Sequence, residues 1–479
     1  MKKKPKAPKH RTASKRTQSS EASTSSKVNP SKWIRTDRPF TLPAYVKEAL
    51  QRLDDAGHIA YVVGGSVRDF LLGREAKDHD IATSASPDEL CLMFPNAVTV
   101  GKSFGVLKIP VAGETFLEIA TFRKDLEYRD HRHPTGILIA GPAEDARRRD
   151  FTINALFYDS KTSRILDSVG GLVDLRAGIV RAIGTPMERF REDALRLLRA
   201  VRFSTALDFK LDPDTAHAVK SQSRLISKVS GERMREEINL MLTGPRPVKA
   251  IQALSELGLL SQILPELESL KGVKQSPLHH PEGDVWVHTL KSLDTLTRQN
   301  PSRSVTLVWG TLLHDIGKPI AAKRSEGKNF NSHEIDGAKI ARRVTDRFKL
   351  SRQESDTVIA LIEDHLKFKD VFQMREATLV RFIRLPHFEE LLTLHRADAM
   401  SSDGNLTYYE FCESRFAEMK KSPRLADTKL VDGEDLIQLG FKPGPKFSEI
   451  LRTIEDLAIE KKLSSKEEAL EYVIKHFAG

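Results

Sequence analysis

With 479 residues, 39% of them hydrophobic, the chain is long enough to bury several cores and is expected to divide into three or more domains. Its formal charge of +10 sits at one end: residues 1–38 hold 12 Lys or Arg against Glu21 and Asp37, and the remaining 64 basic and 64 acidic side chains cancel. No apolar run approaches the roughly 18 residues that a membrane span requires. The two cysteines, Cys91 and Cys412, have no metal-type spacing, so a soluble protein of a reducing, cytoplasmic compartment is expected.

Residues 1 to about 36 are rich in Lys, Ser, Thr and Pro, and the first 31 contain no Leu, Ile or Phe. Such a segment cannot offset the entropy of its own ordering. A basic, Ser-rich start is similar to a transit peptide, but without large apolar residues it cannot form the amphipathic helix those peptides use. A disordered arm touching RNA in a salt-sensitive way is the expectation, with a purely solubilising tail as the alternative.

A helix is expected near residues 43–56. The apolar run Ala60–Val63 then suits a buried strand, Gly64 and Gly65 make a turn, Ser66 is placed to cap a short helix, and Gly73 to end it. Backbone amides at a helix start attract anions, and adjacent glycines let a triphosphate come close. Asp78 and Asp80 lead a second strand, where side chains two apart share a face, so two carboxylates stand side by side. Hard oxygen ligands of this kind suit a pair of Mg²⁺ ions, which activate a hydroxyl and stabilise a leaving pyrophosphate. Residues 104–110 and 116–123 read as neighbouring strands. Glu118 in the second reads two ways, as a third carboxylate facing the metals or as a solvent-facing residue on a half-buried strand.

Residues 144–156 read as a charged helix start running into an apolar stretch. Arg147, Arg148 and Arg149 make a natural triphosphate clamp, because guanidinium forks match phosphate oxygens; ordinary helical salt bridges are the competing reading. Asp150 and Asn154, four apart, share a helix face, so Asn154 is placed to meet a ribose hydroxyl while Asp150 orients an arginine.

Together, the glycine turn with Val67-Arg68-Asp69, the pair Asp78 and Asp80, Thr121-Phe122-Arg123, Arg132-His133-Pro134 and the run 148–155 resemble the class II tRNA nucleotidyltransferase and bacterial poly(A) polymerase superfamily. The resemblance implies Mg²⁺ and catalytic work on Asp78 and Asp80, with Glu118 kept from the strand reading as the candidate third carboxylate. It implies nucleotide binding by Gly64, Gly65, Arg68, Arg123, Arg148, Arg149, Asp150 and Asn154, with Arg123 in a flexible loop region that orients the incoming nucleotide. Asp167, Gly170, Gly171 and Asp174 match a structural turn that joins head to neck.

Residues 186 to about 270 read as helices. In the run 189–203, Asp193 and Arg196 project from one side of an expected helix, and by themselves they read as a helical salt bridge. The resemblance instead makes Glu192-Asp193-x-x-Arg196 the motif in which side chains replace a nucleic-acid template, with an acceptor and a donor pairing with a base edge. Arg199 and Arg202 continue the basic face toward phosphates, and Glu232, Arg233 and Glu237 read as helix-positioning residues.

A second constellation follows: His288, His314, Asp315, His333, His365 and Asp398, with His314-Asp315 after a buried run. Imidazole plus carboxylate suits a transition metal (Mn, Ni, Co or Fe), which can activate water against a phosphoester. With the lead-in 280–289, these residues resemble the HD phosphohydrolase superfamily. That resemblance implies a first metal on His288, His314, Asp315 and Asp398, a second on His333 and His365, and a phosphate contact from Lys318; a scaffold that merely retains the ligands is the alternative. HD domains behind such a head are associated with removing phosphate from RNA ends, as 2′-nucleotidase or 2′,3′-cyclic phosphodiesterase. The last residues read as helices with a break at 441–446, where Lys442 and Lys446 either touch RNA or belong to a plain interhelical loop, and with a capping box of Ser465 and Glu468.

The expected fold class is therefore α+β: a basic tail (1–36), a small mixed-sheet nucleotidyltransferase head (37–185), then an all-helical neck (186–272), an HD region (273–402) and a C-terminal RNA-binding region (403–479). The leading expected function is template-independent addition of CCA to tRNA 3′ ends from CTP and ATP. One alternative is a poly(A) polymerase acting on other RNA 3′ ends, against which residues 100–105 lack the paired basic residues expected there. Another is an HD phosphohydrolase whose head only binds RNA.

Overall fold

The computed structural model describes residues 32–36, 39–76, 78–99, 105–111, 116–126, 135–277, 280–281, 283–421 and 429–477. The tail up to residue 31, the diagnostic run 100–104 and Arg132-His133-Pro134 lie outside the described residues. No helix among the described residues is long and apolar enough to cross a membrane.

Among the described residues ten strands build the two sheets of the head: β1 Lys32–Arg35, which lies inside the segment expected as a disordered tail, β2 Ala60–Val63, β3 Asp80–Thr83, β4 Val98–Thr99, β5 Val106–Pro110, β6 Phe116–Thr121, β7 Arg123–Asp125, β8 Ile137–Ile139, β9 Leu156–Asp159 and β10 Arg164–Asp167. Eight of them form one sheet in the order β1-β10-β9-β2-β3-β6-β5-β4, and β7 with β8 forms a separate hairpin. Within the large sheet β3 and β6 are parallel and their neighbours antiparallel, so the sheet is mixed. A parallel pair needs a crossover, and the helix Pro87–Met93, opened by a capping box of Ser86 with Glu89, begins it.

Alternation along the strands separates two faces. Val62, Ile81, Leu107 and Ile119 pack with Val46, Leu50 and Leu53 of the helix Ala44–Asp55. Val63, Ala82, Phe157 and Leu166 join a smaller cluster on the other face. Asp80, two residues before Ala82, points to that second face. The register sets Glu118 beside Asp80 and Lys108 beside Glu118, so a row of charge crosses three strands at the end of the sheet.

Several local expectations change. Gly64, not Ser66, is the N-cap of the helix Gly65–Leu71, and the Ser66 hydroxyl donates back to the Val63 carbonyl at 3.2 Å. Asp78 is exposed and precedes β3, which begins at Asp80. The helix expected over 144–156 is Pro142–Arg148; Arg149 is extended, Phe151 bridges to Ala182, and Thr152–Asn154 is a single tight turn. The helix expected over 189–203 breaks at Asp193 (φ −141°, ψ 106°) into Pro186–Glu192 and Arg196–Leu207. There the Asp193 carboxylate accepts from the Leu195 amide at 3.1 Å, a local bond that competes with helix continuation.

One apolar cluster runs without interruption from the head through the neck and the HD helices to Tyr409 and Cys412. Neck and HD regions are also stitched by polar bonds: Trp309 Nε1 donates to Asn239 Oδ1 at 2.8 Å, and Arg347 forks onto Glu266 at 2.6 and 2.9 Å. A separate cluster of Val431, Leu436, Ile450, Ile454, Ala469 and Val473 organises the last residues. The helix Thr407–Lys421 therefore belongs with the HD core, and the change of core falls after it rather than at 402. Lys446 donates to the Phe477 carbonyl at 3.1 Å, which favours the plain interhelical loop at 441–446.

Candidate active site and metal centre

The helix Gly65–Leu71, the turn after Arg148 and the first turns of Arg196–Leu207 converge on one cavity of about 770 Å³. Gly64, Gly65, Arg68, Asp78, Asp80, Arg148, Arg149, Asp150, Asn154, Asp193, Arg196, Arg199 and Arg202 all line it, although they come from both sides of the expected head–neck boundary. Gly64 has φ +76°, and a Cβ there would stand 3.3 Å from Asp80 Oδ2 and 3.6 Å from Arg149 Nη1. A side chain would thus be strained and would crowd the carboxylate floor.

Burial raises the Asp80 carboxyl to about 6, and the charges of Glu118 and Asp78 push the same way against Arg149 and Lys108. A carboxylate in that state gains from a bound cation. Glu118 does not line the cavity; it is half-buried and paired with Lys108 at 2.7 Å. Glu118 stands beside Asp80 in the register and is paired with Lys108 on the neighbouring strand.

Arginines arrive at the cavity already held. Arg68 bonds Asp69 through Nε and Nη2 (2.9 and 3.0 Å) and Asn154 Oδ1 through Nη1 (2.7 Å), and it lies over the Phe203 ring. Arg148 and Arg149 both bond Asp145, at 2.7 Å and at 3.1–3.2 Å. Arg199 donates to Asp150 at 2.7 Å across the head–neck boundary, while Asn154 donates to the other oxygen of Asp150 at 3.2 Å. Asp150 thus orients an arginine as expected, through a turn rather than one helix face. Burial opposes charge on Asp150, yet Arg199 outweighs it and holds the carboxyl below its ordinary range. Glu237 receives Arg202 at 2.6 Å and Arg199 at 3.5 Å.

The two template-like residues are each held by other side chains. Arg233 forks onto Asp193 at 2.9 and 3.1 Å. Arg196 is held by Glu192 (2.7 Å) and by the carbonyls of Arg189 and Arg148 (3.1 Å each). Each therefore reaches the cavity already bonded to fixed partners of its own. Arg123 is not brought to the cavity: its Nε bonds Asp125 at 3.1 Å in the β7–β8 hairpin. Reading the sequence missed Arg74, Glu75 and Phe203 as cavity residues and Asp145 as the support of Arg148 and Arg149. The last was detectable, since Asp145 stands three and four positions before Arg148 and Arg149.

The turn 167–174 is structural in its geometry. Asp167 accepts from the amides of Val169, Gly170, Gly171 and Leu172 at 2.8–3.2 Å, and a Cβ on Gly171 would meet the Thr152 carbonyl at 2.2 Å.

The second constellation lies inside the helices of the HD region. Ligand atoms gather in two groups, His288 with His314 and Asp398, and Asp315 with His333 and His365. Asp315, expected with the first group, stands between them: Oδ2 is 3.2 Å from His314 Nε2 and Oδ1 is 3.2 Å from His333 Nε2. Nδ1 of His314, His333 and His365 donates to the carbonyls of Thr311, Phe330 and Ile362 at 2.8, 2.9 and 2.7 Å. In the neutral tautomer this turns each Nε2 lone pair inward. Nε2 atoms then face each other at 3.3 Å in the pairs His288–His314 and His333–His365, an arrangement that favours a cation among them. Burial and the neighbouring His314 and His333 push His365 down to about 3. Burial opposes charge on Asp315, but His314 and Lys318 hold it well below the carboxylate range. Lys318 bonds Asp315 at 2.7 Å and Gln275 at 2.5 Å.

A mixed-sheet head with paired carboxylates, an arginine-lined cleft and a helical domain carrying histidine and aspartate ligands defines a nucleotidyltransferase fused to an HD domain. Family models agree: "Poly A polymerase head domain" matches residues 60–181, "Probable RNA and SrmB-binding site of polymerase A" 208–271, and "HD domain" 285–403. The chain is 33% identical over 427 residues to a CCA-adding enzyme of Lactobacillus helveticus, covering 88% of this chain and 94% of that one. It is also 33% identical over 429 residues to a CCA-adding enzyme of Bacillus licheniformis, covering 88% and 95%. A crystal structure of the Bacillus stearothermophilus CCA-adding enzyme in complex with CTP superposes with a TM-score of 0.65 at 27% identity, covering 91% of this chain and 98% of that one. The chain belongs to the CCA-adding enzyme family.

Proposed function

We propose that this enzyme completes the 3′-CCA end of tRNA, adding C, C and A from CTP and ATP without a nucleic-acid template. The observation that carries the proposal is the single cavity in which Asp78 and Asp80, the arginines of the head and the template-like pair of the neck meet. The terminal RNA hydroxyl attacks the α-phosphate, the α–β bond breaks, and pyrophosphate leaves. Asp78 and Asp80 are suited to hold Mg²⁺, which lowers the barrier by activating that hydroxyl and neutralising the leaving oxygens. Arg148 and Arg149 grip the triphosphate, the glycine turn lets it approach the backbone, and Arg199 and Arg202 face the primer phosphates. Asp193 accepts from, and Arg196 donates to, the edge of the incoming base, which is how C and A are preferred over U and G. The cavity supports a reading with tRNA, CTP and ATP as partners.

Offering tRNAs that lack CCA, CA or only the last A each nucleoside triphosphate separately tests this, with products read at nucleotide resolution. Addition that stops after one A supports the proposal. Long A tracts would instead make the enzyme a poly(A) polymerase.

A second activity is favoured by the inward-facing Nε2 atoms of the HD region. His288, His314, Asp315, His333, His365 and Asp398 fit a transition metal such as Mn²⁺ or Ni²⁺, which supplies an activated water. Lys318 is set to meet a phosphate oxygen. The proposed reaction is hydrolysis of 2′-phosphate or 2′,3′-cyclic phosphate at RNA ends. With Ni²⁺ or Mn²⁺ added, failure to hydrolyse 2′,3′-cAMP, 2′-AMP and a cyclic-phosphate tRNA would rule it out.

A further inference from the structure

Asp145 lies beneath the nucleotide cavity without lining it, and its side chain is fully buried. One carboxylate oxygen accepts from Arg148 Nε at 2.7 Å and from the backbone amide of Arg123 at 3.3 Å. The other accepts from Arg149 Nε and Nη2 at 3.2 and 3.1 Å. Three groups from two chain segments thus end on one buried carboxylate: two adjacent cavity-facing guanidiniums and the first residue of β7, the stem of the β7–β8 hairpin. Arg149 is sandwiched further, lying over the Phe157 ring at 5.1 Å. Burial opposes charge on Asp145, yet Arg149 and Arg148 overcome it and keep the carboxyl below its ordinary range.

We propose that Asp145 is a positioning residue for nucleotide transfer: its buried carboxylate sets the two guanidiniums over the cavity at the spacing that a triphosphate meets, and ties the hairpin stem to the same point. It acts through Arg148 and Arg149 and does not touch substrate. The inference rests on the reading that those two arginines hold the triphosphate. Long side chains with several rotatable bonds lose entropy when they bind, and an anchor that orders them beforehand removes that cost from the binding step.

The sign of the effect separates this role from simple charge balance. If Asp145 only damped positive charge, removing its charge would leave a more cationic cavity and tighten binding of a polyanion. If it positions, the same change loosens the arginines and weakens binding.

The test uses the full chain with Asp145→Asn, which keeps size and one acceptor, and Asp145→Glu, which keeps the charge but shifts it by one methylene. Steady-state incorporation into tRNA lacking only the final A, with ATP, and into tRNA lacking CA, with CTP, yields KM for nucleotide and for tRNA. Pyrophosphate inhibition reports the phosphate subsite alone. Both variants are expected to raise nucleotide KM and the pyrophosphate inhibition constant by about 10- to 100-fold, with KM for tRNA unchanged. Lower or unchanged constants for nucleotide and pyrophosphate in both variants would overturn the inference, as would an equal rise in KM for tRNA. Arg149→Ala in the otherwise unchanged chain is the control for the underlying reading: if it leaves the pyrophosphate constant unchanged, the arginine assignment itself fails. If it raises that constant while the Asp145 variants do not, only the role of Asp145 fails. The double variant Asp145→Asn with Arg149→Ala is expected to lose less than the product of the two single effects, because only the part of the Asp145 effect that runs through Arg148 is left to lose.

Discussion

The cavity between head and neck and the centre inside the HD helices both concentrate charge, but with opposite construction. In the cavity, arginines line an open space, and Arg148, Arg149, Arg199 and Arg202 are braced from behind by Asp145, Asp150 and Glu237. In the HD centre, histidine nitrogens and carboxylate oxygens point at one another in a buried space, and His288, His314, Asp315, His333 and His365 are all buried. The first is prepared for a polyanion and the second for a cation. A polyanion site tolerates solvent and needs its cations ordered; a cation site needs lone pairs turned inward and water controlled. The two centres lie on one continuous core, so their separation is chemical rather than mechanical.

That separation can be broken or sharpened by variants. The largest effect is expected from Asp78→Ala with Asp80→Ala, which should lower nucleotide incorporation by about 10³-fold or more while hydrolysis of 2′,3′-cAMP and binding of tRNA persist. Loss of hydrolysis in the same protein would show the sites to be coupled. Next, His314→Ala should lower hydrolysis by roughly 100-fold or more and leave incorporation in Mg²⁺ unchanged; chelation followed by Mg²⁺ alone should give the same split, with incorporation restored and hydrolysis absent. Arg233→Ala frees both oxygens of Asp193 from their fork. Preference for CTP and ATP over UTP and GTP, measured as a ratio of kcat/KM, should fall by about tenfold or more, in line with about 1.5–3 kcal/mol for hydrogen bonds to a charged group. The smallest effect is expected from Trp309→Phe, which removes the bond to Asn239 between the HD and neck helices. A loss of about 1 kcal/mol in denaturant unfolding is expected, without change in either activity; a change in base preference would mean that the helix Gly231–Leu242 transmits strain from one centre to the other.

The cavity and the HD centre were legible in the sequence to different degrees. Asp78 and Asp80 stand in a compact stretch with the glycine turn, so closeness in the chain brings both to one cavity although Asp78 precedes the strand. The HD ligands span more than a hundred residues, and their meeting was inferred from resemblance and from residue type. Arg123, assigned to the nucleotide, bonds Asp125 two residues on in the same strand, because alternation turns both side chains to one face. Asp193 and Arg196 were assigned to one helix face; the helix breaks between them because the Asp193 carboxylate captures a local amide, and each residue is then held by its own partner.

By itself the sequence determined the alternation of apolar and polar residues, the glycine turn and the chemical inventory of both centres, because these depend on neighbours a few residues away. Only the tertiary structure decided which carboxylate supports which arginine, that Asp315 stands between two groups of ligands, and that the helix Thr407–Lys421 packs with the HD core. Those outcomes depend on strand register, on burial and on distances between segments far apart in the chain, where a buried charge must find a partner wherever the fold supplies one.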